Sequence, residues 1–394
     1  MGGEVKSMRA VVGLVLIGIV IAACAPHEGR PAGGADKLYE ANTTNGAQAI
    51  YVVDSKTHAI ERRLPLGTPS GNWKHLYSIV GASLVDTDPL TGNTQNTLRL
   101  GGDYTLPPAT STGLPGGLSA AGYWLVVESH ESNATRMLLI STSTFKVSDR
   151  IELTGRFNFD AVSDDGQRLY LIQYLNDKEY YVRLFNIPAN SLDENIVIDK
   201  SDGNQAMAGR RLLGVASPDG ASLFSMYVRE QESPFIHALS LQGPFAWCLD
   251  LPGGGYSTWS LAMTHDGSRL FAVGGASGVV AEVDTSNQYS PQIVRTAQVA
   301  TGAHTALLSS DGKTLVAAGE SGIRWIDTSS LSVRMQSLAE WNVASLGLSA
   351  DGKTLYAVGD RGQIAQVAMA SGEVVSRFDP SEGRPMALLR VAAA

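Results

Sequence analysis

Two octapeptides late in the chain, SSDGKTLV at 309–316 and SADGKTLY at 349–356, are near-copies of each other. Three more copies precede them: SDDGQRLYL at 163–171, SPDGASLF at 217–224 and THDGSRLF at 264–271. An Asp-Gly pair between apolar runs marks a tight hairpin, because glycine takes positive φ without a Cβ clash. The pairs begin at Asp165, Asp219, Asp266, Asp311 and Asp351, so the spacings are 54, 47, 45 and 40 residues. Spacings of this size are the mark of a structural repeat.

Each copy is embedded in the same succession of short apolar runs. One run precedes the turn, as in SLAMT (260–264) and SLGLS (345–349), and another follows it, as in LFAVGG (270–275) and LYAVGD (355–360). A third ends in a polar turn, as in VVAEVDTSN (279–287) and IRWIDTSS (323–330), and a fourth leads back to the next repeat. SGNWKHLYSI (70–79) and SAAGYWLVV (119–127) are degenerate copies. Four short strands cannot bury their own faces, so neighbouring units must stack, which predicts an all-β propeller of four-stranded blades. The first unit, at 37–67, lacks a first strand, and RPMALLRVA (384–392) is a first strand with nothing after it. The C-terminal strand is therefore expected to complete the N-terminal blade and remove an open edge. The count is eight blades, with seven the alternative because the unit at 68–100 has no convincing first strand.

The composition agrees. The chain has 394 residues, 44% apolar and 17% charged, which suits a large packed core, and its 42 glycines suit many tight turns. The net charge is −8, which argues against nucleic acid as a partner. Two cysteines, Cys24 and Cys248, are too few for a disulfide scaffold or a Cys-rich zinc site.

The N-terminus reads as an address. Lys6 and Arg9 precede an apolar run from Val11 to Ala22, too short to span a bilayer comfortably but right for a signal-peptide core. The run ends in Ile21-Ala22-Ala23-Cys24, which resembles the lipobox of bacterial lipoproteins. The resemblance implies a diacylglyceryl group on Cys24, removal of residues 1–23, a tether over 24–35 and a propeller over 36–394. The mature charge would be 28 − 37 = −9. The expected location is the extracytoplasmic face of the cell membrane.

The repeat region resembles the YVTN-type β-propellers, relatives of the lactonase-like group, through LYEAN…YVVDSKTHAIERRLPLG (38–67) and the SPDG and SADGKTLY turns. The Tyr-Val-Thr-Asn tetrapeptide itself does not occur. That resemblance implies fold more strongly than activity. No phosphate loop, metal helix motif or nucleophile elbow is present, and no two of the seven histidines share a metal-ligand spacing, so no metal and no cofactor are expected. Cys248, inside the apolar run FAWCLDL, reads as a small core filler.

The positions just before each first strand border one mouth of a propeller. They are Arg156, Arg210, Tyr256, Trp259, His304, Trp341 and Arg384, with Phe157 and Arg211 beside them. Arginine forks bind carboxylates or phosphates, and aromatic faces bind planar groups, so these residues form the candidate ligand funnel. The alternative is that the arginines pair with local acids such as Asp160, Glu340 and Asp379 while the aromatics pack. The leading reading is a membrane-tethered binding or interaction scaffold, with an unknown protein or an anionic small molecule as partner. The alternatives are a lactonase-like hydrolase using His304, Arg156, Arg210 and Arg384 in the funnel, and an accessory subunit of a redox complex. If Cys24 carries the anchor, Cys24→Ser abolishes lipid labelling and leaves precursor or released protein; normal labelling and processing would rule the anchor out.

Overall fold

A computed structural model describes residues 35–201, 205–254, 257–299 and 302–393. The signal peptide, Cys24, nearly all of the tether and Tyr256 lie outside the described residues. Among the described residues the regular elements are β-strands, and no helix is long and apolar enough to cross a membrane.

The strands form eight sheets, the blades of a β-propeller, antiparallel except for one short parallel pair at the edge of blade 5. Blade 1 pairs Lys37–Thr44, Ala47–Asp54 and Ile60–Pro65 with the last strand, Arg384–Ala392, which occupies the channel-side position. The expected closure is therefore present, with Lys37 opposite Ala392 and Thr43 opposite Arg384. Blade 2 spans Thr68–Arg99; its first strand is only Thr68–Pro69, which accounts for its weak sequence signal. Blade 3 has three full strands between Trp124 and Thr154, and single bridges at Thr105 and Leu118 stand in for the fourth. Blades 4 to 8 begin at Phe157, Arg210, Trp259, Ala303 and Val343.

One hydrogen-bonded turn explains the repeat. At Ser163, Ser217, Thr264, Ser309 and Ser349 the hydroxyl donates to the Asp two residues on, at 2.5–2.7 Å. The same oxygen accepts the backbone N–H five residues on, at 2.9–3.0 Å. The glycine after the Asp holds φ near +70°, as at Gly312 (+67°). The hydroxyl bonds of Thr264 and Ser268 hold the Asp266 carboxyl down at about 2. Both degenerate copies make the same turn. Ser70 donates to Asn72 at 2.8 Å and accepts from His75 at 3.1 Å, and Trp73 takes the left-handed position at φ +56°. Ser119 accepts from Trp124, five residues on, at 3.4 Å, with Gly122 at φ +77°, but Ala121 leaves its hydroxyl without the side-chain acceptor of the other copies.

The core is a ring of eight apolar clusters, each shared by two adjacent blades. Leu38 and Val53 of blade 1 pack on Tyr356, Val358 and Ile364 of blade 8, so the joint that closes the ring is a packed core like the others.

Closure also buries a carboxyl. Glu40, opposite Leu388 of the C-terminal strand, is 1% exposed, and its Oε1 has no hydrogen-bond partner. Burial pushes its pKa up from 4.5 to about 8. The folded protein therefore holds a proton on Glu40 that the unfolded chain releases. This contribution is full below about pH 4.5 and is lost as pH rises through about 8. Stability should fall by up to about 5 kcal/mol from this group across that window. Glu40→Gln should flatten the dependence in denaturant melts at pH 5 and 8.5; an unchanged slope would refute the assignment.

Candidate functional site at the mouth of blades 3 to 5

The serine turns join the first and second strands and so lie on one face of the ring. The opposite face is built from the connections between blades and from the loops between second and third strands. Here the repeat lengths matter. The turn residues Ser70, Ser119, Ser163, Ser217, Thr264, Ser309 and Ser349 are spaced by 49, 44, 54, 47, 45 and 40 residues. The two longest spacings hold two excursions.

The first leaves the channel-side edge of blade 3 between Thr105 and Leu118. It is a narrow hairpin in which Ala109 N–H donates to Leu114 C=O and Gly116 N–H to Pro107 C=O, both at 2.7 Å. Its tip reaches past blade 4, where Ser111 N–H donates to Leu212 C=O of blade 5 at 2.7 Å. The second excursion follows the fourth strand of blade 4. Ile198–Asp199 crosses to pair in parallel with Phe245 and Ala246 of blade 5, and Met207–Ala208 returns to pair with Glu179 and Tyr180 of blade 4. The hairpin and the returning end of the second excursion, at Ala208 and Gly209, border a cavity of about 650 Å³.

The hairpin contributes Pro108 to Ser111 to its wall. Blade 4 contributes Asn158, Phe159, Ile172, Tyr174 and Tyr180, and blade 5 contributes Arg210, Arg211, Leu212 and Tyr227. The rim loops add Asp177, Lys178 and Arg229 to Glu232.

Beneath the cavity lies a buried polar cluster. Asp160 sits at a β-bulge, since Phe159 and Ala161 pair with consecutive residues Leu171 and Tyr170. A bulge re-aims its side chain. The Asp160 carboxylate is fully buried and lies 3.7 Å from the Arg211 guanidinium of the next blade. No protein donor bonds either of its oxygens. Tyr180 and Tyr227 are each 2% exposed, their rings stack at 5.8 Å, and their hydroxyls face each other, with no other hydrogen-bond partner in the protein. Ser225 Oγ, Arg211 Nε and His237 Nδ1 are likewise buried and unpartnered. Burial raises the pKa of Tyr174, Tyr180 and Tyr227, so the phenols stay protonated, and it lowers that of His237, which stays neutral.

The structure disperses the residues that the sequence places at the mouth. Arg210 is on the cavity rim. Arg156 lies beside it in a shallow depression with His130, Asn158 and Tyr174; it pairs with Asp177 at 3.1 Å and stands 5.4 Å over the Tyr174 ring. Arg384 donates to the Asp360 carbonyl. His304 occupies the bulge of blade 7, half-buried. Trp259 is 2% exposed in the core of blades 5 and 6, with its Nε1–H on Ser257 at 2.9 Å. Trp341 packs in the core of blades 7 and 8 with Arg377 5.4 Å over its ring, and Arg377 pairs with Glu340 at 2.8 Å. Asp160, Tyr180 and Tyr227 were not legible as site residues, because each sits in an ordinary strand pattern; the excess repeat length was the available signal.

No family model matches the chain, and no curated protein is significantly similar to it. Solved structures do resemble it. Dihydro-heme d1 dehydrogenase NirN, solved in complex with DHE, is 13% identical with a TM-score of 0.55, over 92% of this chain and 76% of that one. A structure described as the eukaryotic initiation factor is 13% identical with a TM-score of 0.53, over 90% and 98%. Hydrazine synthase of Kuenenia stuttgartiensis is 16% identical with a TM-score of 0.44, over 72% and 90%. Likeness at such identities shows the β-propeller fold alone.

Removing one partner of a buried ion pair leaves the other charge uncompensated. Arg211→Ala should therefore cost about 3 kcal/mol in urea unfolding. Asp160→Leu combined with Arg211→Met should recover most of that loss. Equal losses in the single and double variants would show that the two side chains are not coupled.

Proposed function

We propose that this protein is a lipid-anchored, extracytoplasmic propeller of the YVTN-like kind that binds a small ligand in the cavity between blades 3, 4 and 5. The observation that carries the reading is a 650 Å³ cavity whose deep wall includes Tyr180, Tyr227 and Arg211: the buried Arg211 Nε has no hydrogen bond, and the two phenol hydroxyls have no partner but each other. Buried polar groups are normally satisfied, and clusters of exceptions mark places where something else supplies the partner. The volume falls within the ~300–1,000 Å³ range of small-molecule sites.

A binding role fits better than hydrolysis. Among the described residues the cavity lining holds no histidine, and His304, the general base of the hydrolase alternative, is not part of it. The tether rests on Cys24 and the apolar run before it. Anchoring by one lipidated cysteine keeps a rigid ring at the membrane surface with its loops available.

A fragment screen by thermal shift tests the reading with the wild type and with Ala208→Trp, which places an indole at the cavity wall. Fragments that stabilise the wild type should lose their effect in the variant. Hits that survive Ala208→Trp would place binding elsewhere on the ring.

A further inference from the structure

Resting on the reading of the cavity as a binding site, we infer that its ligand is uncharged, with a carbonyl or hydroxyl head that reaches Tyr180, Tyr227 and Arg211 and a ring-sized apolar body. Charge bookkeeping around the cavity supports this first. The rim carries Lys178, Arg210 and Arg229 against Asp177, Glu230 and Glu232, three of each sign. Much of that charge is engaged within the protein. Arg229 bonds Asp250 at 2.6 Å and pairs with Glu232 at 3.0 Å, and Asp177 pairs with Arg156 at 3.1 Å. At the deep wall Asp160 balances Arg211. An anion entering here would lose its hydration next to a buried carboxylate, and a cation would meet the Arg211 guanidinium; each arrangement is costly in a desolvated site.

At the deep wall the groups left for a ligand bring no net charge. The two phenols can donate or accept, and the guanidinium offers donors whose charge is already compensated. A carbonyl or hydroxyl oxygen satisfies such donors without bringing charge into the site. Above them the wall is apolar: Pro108 and Ala109 from the hairpin, Phe159 and Ile172 from blade 4 and Leu212 from blade 5. A ring compound with one polar end matches a cavity that is polar at its closed end and apolar along its side.

Three probes of one shape and different charge test this: 2-naphthamide, 2-naphthoate and 2-naphthylmethylammonium, titrated by saturation-transfer NMR against the full-length protein. The amide should bind at least tenfold more tightly than either charged probe. Tyr180→Phe/Tyr227→Phe removes both hydroxyls together, and they have no partner in the protein but each other. That variant should melt at the same temperature as the wild type or higher, and should bind the amide about tenfold more weakly. A structural role for the hydroxyls would lower the melting temperature instead. Naphthoate binding as tightly as the amide, and lost in Ala208→Trp, would overturn the ligand class while leaving the cavity as the site. Amide binding equal in the wild type, the double Phe variant and Ala208→Trp would overturn both readings. Absence of binding by all three probes also counts against the inference.

Discussion

A four-stranded sheet of strands no longer than nine residues has two apolar faces and nothing of its own to cover them. Each blade here is stable only because a neighbour lies on each side, and every apolar cluster in the ring is shared by two blades. A row of blades would end in two uncovered faces. Pairing Arg384–Ala392 with Lys37–Thr44 ties the last blade to the first, and the cluster joining blades 8 and 1 covers both ends. The buried carboxyl of Glu40 lies in that seam, so the closing strand brings a proton-binding group into the core along with the apolar contact.

The two faces of the ring obey different constraints. On one, the Ser/Thr hydroxyl, the Asp carboxylate and the left-handed residue after it form a compact hydrogen-bonded unit, made even where Trp73 replaces glycine. That unit sets how the first two strands of each blade meet and leaves little room for variation. On the other, connections between blades need only span a gap, so length can accumulate there without disturbing the core. It accumulates next to blades 3, 4 and 5, and the rigid ring brings the hairpin and the returning end of the second excursion to the border of one cavity.

Leaving buried polar atoms unpaired is expensive, about 1–3 kcal/mol for each. Among the described residues, seven of the sixteen buried side-chain polar atoms that lack a well-formed hydrogen bond belong to Asp160, Arg211, Tyr180, Tyr227, Ser225 and His237, at the joint of blades 4 and 5. The joints of blades 6 with 7 and 7 with 8 include small apolar side chains, such as Ala317, Ala318 and Ala357. A local departure from good packing in an otherwise regular molecule is expected where function is placed.

The fold was legible because its determinants are local. A hydroxyl, a carboxylate and a glycine within four residues make the same turn wherever they recur, and a recurring turn with four apolar runs can stack in few ways. The split first unit likewise revealed the ring closure, since a strand lacking at one end of the chain reappeared at the other. The site was not legible in this way. Arg156 and Arg210 were visible from their place before a first strand, but Trp259 and Trp341 from equivalent places point into the core, because the blade on either side offers them apolar surface. Asp160 is buried through a bulge whose register depends on the neighbouring strand, and it meets Arg211, 51 residues on, only because blade 5 follows blade 4 in space. The sequence by itself determined the repeating turn, the blade and the closed ring, because these follow from contacts within a few tens of residues. Only the tertiary structure decided which loops share a cavity and which polar atoms are left without partners, because both depend on how separate blades face one another.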